Sequence, residues 1–133
     1  MSVVIDSSAV VAALVDSGPD GIWAEKIIER HALYAPELAL AEATNILRRL
    51  ELAKRITTPE ADAAYEDLLQ LEMEQFPFEP FTPRIWELRR TVTSCDAWYV
   101  AVAEELGFPL ATLDERLAKA DGPKCEFLTP DSR

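Results

Sequence analysis

The chain has 133 residues, 49% of them apolar and 8% aromatic, enough to bury a core and too apolar for a disordered polypeptide. Its 24 acids outnumber 13 bases for a net charge of −11, which argues against nucleic-acid binding through a broad basic surface. No apolar run approaches the length of a bilayer span, no basic segment precedes the first apolar run, and Cys95 and Cys125 lie outside any CxxC spacing. A single cytoplasmic domain over residues 1–133, with no membrane association, is the expectation.

Val3-Val4-Ile5 is a β-branched run without alternation, as in a strand covered on both faces. Asp6 follows at the carboxyl end of this strand. Ser7 and Ser8 come next, hydroxyls suited to capping a helix that runs to about Val15. Gly18-Pro19-Asp20-Gly21 reads as a turn, and Ile22, Trp23, Ile27 and Ile28 mark an amphipathic helix ending at Arg30. His31, the single histidine, stands where it can cap that helix. Leu33-Tyr34-Ala35 before Pro36 is a second strand, completing the length of a βαβ unit.

From Glu37 to Arg55, Ala39, Ala43, Ile46, Leu50 and Ala53 form one helical stripe. Glu42 interrupts it, with Asn45 and Arg49 on the same side. Thr58-Pro59-Glu60 opens a helix reaching about Glu74 through Tyr65, Leu68, Leu69 and Leu71. Phe78-Glu79-Pro80-Phe81 is assigned as a third strand, at an edge because proline cannot donate to a ladder. Thr82-Pro83 begins a helix to about Val92. Ser94-Cys95-Asp96 opens one that is apolar almost all round and therefore buried. Gly107 ends it. Residues 109–112 form a strand ending near Asp114, Leu117 to Ala120 a short helix, and Glu126-Phe127-Leu128 a last strand. Trp23, Trp86 and Trp98 read as core or dimer-interface residues, and the two cysteines as small buried ones.

Four carboxylates occupy marked places: Asp6 and Asp114 after strands, Glu42 within a core stripe, and Asp96 in the first turn of a buried helix. Burying a charged carboxylate without a partner is costly. Taken one at a time, each has a purely structural account. Asp6 and Asp114 can cap helices, Asp96 can favour a helix N-terminus, and Glu42 can pair with Arg49 or Lys26. One Mg²⁺ or Mn²⁺ site accounts for all four, since hard cations take carboxylate and water oxygens. Such an ion can activate water and neutralise a phosphodiester transition state.

The segments that carry these acids run Val3-Val4-Ile5-Asp6-Ser7-Ser8-Ala9, Ala35-Pro36-Glu37-Leu38-Ala39-Leu40-Ala41-Glu42-Ala43-Thr44-Asn45, Thr93-Ser94-Cys95-Asp96-Ala97-Trp98-Tyr99-Val100-Ala101-Val102-Ala103-Glu104 and Leu110-Ala111-Thr112-Leu113-Asp114-Glu115-Arg116-Leu117. Together they resemble the motifs of PIN-domain nucleases, and in length and order the chain is similar to the VapC-like toxins of bacterial toxin–antitoxin pairs. Cys95 departs from the tyrosine or alanine usual just before the third acid. The resemblance implies a three-layer α/β/α fold with a central parallel sheet, Mg²⁺- or Mn²⁺-dependent endoribonuclease activity, homodimerisation, and a cognate antitoxin that blocks the acidic cleft. It places Asp6, Glu42, Asp96 and Asp114 on the catalytic, metal-binding positions. Asp6 and Asp96 would be the primary ligands, with Glu42 and Asp114 on a second ion or its waters. Asn45 and Thr112 fall on supporting polar positions, and Ser7 or Ser8 would support Asp6.

Candidate phosphate contacts are Arg48, Arg49, Lys54 and Arg55 at one helix end, and Arg89 and Arg90 ahead of Asp96. A haloacid-dehalogenase-type phosphatase is set aside because Ser8 stands where its second Asp would be. A His-rich zinc site is excluded by the single histidine. The competing reading from another class is a PIN-fold module that binds a partner protein or RNA without cleaving it.

Overall fold

The apolar run at Val3-Val4-Ile5 becomes the middle of the sheet. The computed structural model describes residues 1–130. Its five strands are β1 (Ser2–Ile5), β2 (Ala32–Pro36), β3 (Met73–Phe76), β4 (Leu110–Ala111) and β5 (Phe127–Leu128). All pair in parallel, in the order β3-β2-β1-β4-β5. Val4 stands opposite Tyr34 on one side and Leu110 on the other, while Ile5 stands opposite Ala111.

Strand alternation sends β1 into both layers. Val3 and Ile5 join a core with α1 (Ser7–Val15), α2 (Pro19–Arg30), α3 (Ala39–Leu52) and α4 (Thr58–Gln70). Val4 joins the opposite core with α5 (Thr82–Glu87), α6 (Ser94–Leu106) and Leu117 of α7 (Glu115–Ala118). The three β1 residues are fully buried, worth roughly 1.5 to 3 kcal/mol each. The expected α/β/α sandwich is therefore the fold, and α6, buried from Ala97 through Ala103, lies against the sheet. Among the described residues no helix is long and apolar enough to cross a membrane.

Two glycines are required for different reasons. Gly107 ends α6 in the left-handed region, at φ 71°, where an L side chain is strained. Gly21 lets α2 close back on α1: a Cβ there would lie 1.7 Å from the backbone oxygen of Asp16.

Several expectations are corrected. The third strand is Met73–Phe76, so α4 stops at Gln70, and residues 79–81 form a 3₁₀ turn containing Pro80. β3 is polar in its middle because it lies at the sheet edge. The cap of α4 is Thr57, whose hydroxyl accepts from Glu60 N while the Glu60 carboxylate accepts from Thr57 N. The cap of α1 is Asp6 and not a serine. α4 buries Ala61, Ala64 and Leu68, leaving Tyr65 and Leu69 exposed, because the small residues allow close approach to α1 and α3. Ile22 is exposed, as is Cys95. Trp98 is a core residue and Trp23 half-buried, but Trp86 is 67% exposed with the Arg89 guanidinium 4.3 Å from its ring centre. His31 caps α2 as expected, its Nδ1 2.8 Å from the Ile27 oxygen.

Candidate active site

Parallel strands all end at the same edge, so side chains just past β1, β2 and β4 converge although they are far apart in sequence. Asp6 follows β1 directly, Asp114 follows β4, and α3 after β2 carries Glu42 in its first turn. α6 brings Asp96, set one turn in by Thr93, whose hydroxyl accepts from Asp96 N at 3.3 Å.

Asp6 is 7% exposed and fully engaged. Its Oδ1 accepts from Ser8 Oγ at 2.6 Å and Ala9 N at 3.1 Å, and Thr112 Oγ1 donates to Oδ2. The Thr112 hydroxyl in turn accepts from Asp114 N at 2.9 Å, tying the first acid to the backbone of the last. Burial pushes the Asp6 carboxyl up. The hydrogen bonds from Ser8, Thr112 and Ala9 pull it down, the Asp96 charge adds a further push, and the net shift is upward. Asp96 is also raised, by burial and then by the charge of Asp114, against a hydrogen bond from Thr93.

Glu42 is half-buried and pairs with neither Arg49 nor Lys26 among the described residues. Its Oε1 instead accepts from Tyr99 Oη at 2.7 Å, with Ser7 Oγ at 3.5 Å, leaving Oε2 unoccupied by protein. Burial, then the Glu42 charge and hydrogen bond, hold the Tyr99 hydroxyl far above the ordinary phenol range, so it remains a donor. Asp114 caps α7, its Oδ1 accepting from Arg116 N at 3.0 Å and Leu117 N at 3.1 Å, which leaves Oδ2 open.

The acids are electrostatic neighbours in sequence along the edge: Asp114 acts on Asp96, Asp96 on Asp6, and Asp6 and Glu42 both on Tyr99. A cavity of about 370 Å³ is lined by Asp96 and Asp114 with Thr91, Thr93, Arg116 and Leu117. Among the described residues no three acids, histidines or cysteines converge closely enough to enclose an ion. This donor set does not make an all-protein cage. It does suit Mg²⁺, which keeps several waters and is bound by one or two carboxylates plus substrate phosphate. Asp6 retains a lone pair on Oδ2, and Asp96 and Asp114 face the cavity.

Of the supporting residues, Thr112 holds Asp6 as expected, whereas Ser8 and not Ser7 is the serine on Asp6; Ser7 turns to Glu42. Asn45 is exposed and hydrogen-bonds to none of the four acids among the described residues. Arg48, Arg49, Arg89 and Arg90 are all exposed, and none lines the cavity of Asp96 and Asp114. Arg48 borders a separate groove with Asp62 and Tyr65. Tyr99 and Arg116 carry no signal of a site in the sequence by residue type, although they stand three and two residues after an acid, where a helical turn can return them to the same site.

The PIN domain family profile matches residues 3–123 of the chain. The chain belongs to the PIN-domain family. Within that family it is 40% identical over 125 residues to Ribonuclease VapC1 of Mycobacterium tuberculosis, covering 93% of this PIN domain and 94% of the relative. The same fold occurs in M. tuberculosis VapC20, described as a sarcin-ricin loop cleaving toxin. That structure matches with a TM-score of 0.66 at 18% identity, over 88% of this PIN domain and 93% of VapC20. VapBC-5 of M. tuberculosis, a member of the VapBC family of toxin–antitoxin systems, matches with a TM-score of 0.54 at 23% identity, over 97% of this chain and 99% of that one. These solved structures share the α/β fold of this chain.

Proposed function

We propose that this PIN domain is a Mg²⁺- or Mn²⁺-dependent endoribonuclease and the toxin of a toxin–antitoxin pair. The observation that carries the reading is Asp6: a buried carboxylate, raised in pKa, with a second acid acting on it and no base in an ion pair with it among the described residues. Such a site gains most from a cation. The near full-length similarity to a ribonuclease supports the choice of RNA as substrate.

In this reading Asp6 and Asp96 hold the ion, with Asp114 and Glu42 acting on its water ligands. The ion supplies charge neutralisation at the phosphodiester and makes water a stronger nucleophile at neutral pH. The chain's own groups do the positioning. Ser8, Ala9 N and Thr112 fix the rotamer of Asp6, Tyr99 fixes Glu42, and the backbone donors of α7 fix Asp114. Among the described residues these carboxylates do not form an all-protein cage, so the remaining oxygens around a bound Mg²⁺ or Mn²⁺ would come from water and substrate phosphate.

Incubation of a labelled RNA pool with Mg²⁺ or Mn²⁺ tests the proposal. Cleavage should stop in EDTA and in Asp6→Asn, where asparagine can still cap α1, or Asp96→Asn, which leaves the Thr93 cap of α6 in place. Cleavage by Asp96→Asn at the wild-type rate would refute the assignment. That no three acids converge among the described residues favours one other reading, a module that binds without cutting. Binding of RNA with no metal-dependent cleavage would select it. The partner expected for the cleft is an antitoxin presenting an arginine, the side chain that best meets clustered carboxylates. Co-expression with a neighbouring small protein should yield a complex with suppressed ribonuclease activity. Homodimerisation belongs to the same proposal, and light scattering of the purified protein measures it.

A further inference from the structure

A chain of net charge −11 must hold a polyanion against its own acids. The cavity beside Asp96 and Asp114 has one basic lining residue, Arg116. Among the described residues Arg116 makes no ion pair, although two carboxylates share its cavity; Arg84 pairs with Glu87 and Glu104, outside that cavity. Its backbone is nevertheless placed with respect to the acids, because Asp114 Oδ1 accepts from Arg116 N at 3.0 Å and Thr112 Oγ1 accepts from Asp114 N. The side chain is exposed. The other exposed arginines considered lie elsewhere: Arg89 covers the Trp86 ring and donates to the Trp86 oxygen at 2.8 Å, and Arg48 borders the groove between α3 and α4.

Resting on the nuclease reading, we infer that Arg116 is the phosphate anchor of this site, a substrate-binding residue that grips a backbone phosphate of single-stranded RNA next to the bond cleaved. A guanidinium presents paired N–H donors that match two phosphate oxygens, a geometry an ammonium cannot reproduce. The acids beside it hold the cation that serves the scissile phosphate and repel every other one. Arg116 offsets that repulsion at the neighbouring phosphate, so an acidic protein engages RNA without a basic surface.

The test compares wild type, Arg116→Ala, Arg116→Lys and Arg30→Ala. The affinity for a labelled single-stranded RNA is read by anisotropy in EDTA, and KM and kcat for its cleavage are read in Mg²⁺, each between about 50 and 200 mM salt. Arg116→Ala should raise Kd and KM about five- to tenfold, with kcat near wild type. Its binding should lose about 0.7 from the slope of log affinity against log salt, one phosphate contact on a single strand. Arg116→Lys should recover the slope and only part of the affinity, and Arg30→Ala, an exposed arginine at the end of α2, should change neither. Matching thermal melts exclude misfolding. An Arg116→Ala protein with wild-type Kd, KM and salt slope would overturn the inference while leaving the nuclease reading intact. A loss confined to kcat would also overturn it. A wild type that neither binds nor cuts RNA would instead refute the nuclease reading, and the phosphate anchor with it.

Discussion

Tyr99 shows how one side chain can serve both core and site. It is 1% exposed, and its ring belongs to the core of α6 while its hydroxyl donates to Glu42 on α3, 57 residues away. Tyr99→Phe keeps the packing and removes one donor to a carboxylate. Hydrogen bonds to charged groups contribute about 1.5 to 3 kcal/mol. Glu42 is only half-buried and can turn to water, so the expected loss is at the lower end, about 1 to 2 kcal/mol, read as a lower urea midpoint. The cost should shrink in a Glu42→Gln background, where the charge is gone. Equal costs in both backgrounds would mean that the hydroxyl acts through something other than Glu42. Mn²⁺ affinity measured by calorimetry should fall in Tyr99→Phe as well, because Glu42 is no longer aimed.

The helices pack by small residues, and two glycines allow the effect to be dissected. At Gly21 the obstacle is contact: a Cβ meets Asp16 O at 1.7 Å, Asp16 C at 2.6 Å and Ala12 O at 2.9 Å, all of them backbone. Relief requires α2 to move away from α1. Gly21→Ala should therefore cost about 2 to 4 kcal/mol, as overpacking does, despite the better helix propensity of alanine. At Gly107 nothing lies within 4 Å of a built Cβ, and only the left-handed φ opposes substitution. Gly107→Ala should cost about 1 kcal/mol, and Gly107→Asn less. Thermal melts that rank Gly107→Ala as the more damaging change would contradict this account of the α1–α2 contact. The same packing explains why the apolar pattern of α4 misleads. Tyr65 and Leu69 suggest a buried face, but Ala61 and Ala64 are the residues that fit against neighbouring helices.

Across the protein as a whole, two sets of carboxyls act on pH stability in opposite directions. The carboxyls of Asp6 and Asp96 are raised, chiefly by burial, so the folded chain holds those protons at a pH where the unfolded chain has released them. Acidification from neutrality through their folded-state pKa values should therefore stabilise the metal-free protein. Glu104 behaves the other way. Burial pushes it up, but Arg84, with bonds of 2.7 and 3.1 Å, and the Lys124 N–H at 2.7 Å outweigh burial and hold it low. Its stabilisation is present above the unfolded value and is lost as pH falls through the folded one. The Tm in EDTA should rise below pH 7 and turn over below about pH 4. Mg²⁺ should raise Tm more at about pH 7 than at pH 5, since proton and cation compete for the same carboxylates. A Tm in EDTA that falls steadily from pH 7 downward would show that the Asp6 and Asp96 carboxyls are not raised in the folded chain.

Local chemistry was enough to read much of this protein from its residues. The unalternating Val3-Val4-Ile5 run, the apolar helix after Asp96 and the four isolated acids are signals that need no knowledge of distant contacts; a strand covered on both faces and a set of marked carboxylates followed from them, and the three-layer sandwich from the resemblance to PIN-domain nucleases. What the residues could not reveal was which donor meets which acid. Thr112 reaches Asp6 across 106 positions and Tyr99 reaches Glu42 across 57, pairings created when parallel strands bring their ends to one edge. Residues 73–74 read as the end of a helix and 75–76 as no element, because an edge strand with Glu74 and Gln75 at its centre lacks the apolar pattern of a covered one. The separation of Arg116 from the other arginines was equally invisible, since charge type is local but proximity to the acids depends on where the chain returns. Burial of apolar runs is written along the chain, whereas the partners of polar groups are chosen by tertiary packing.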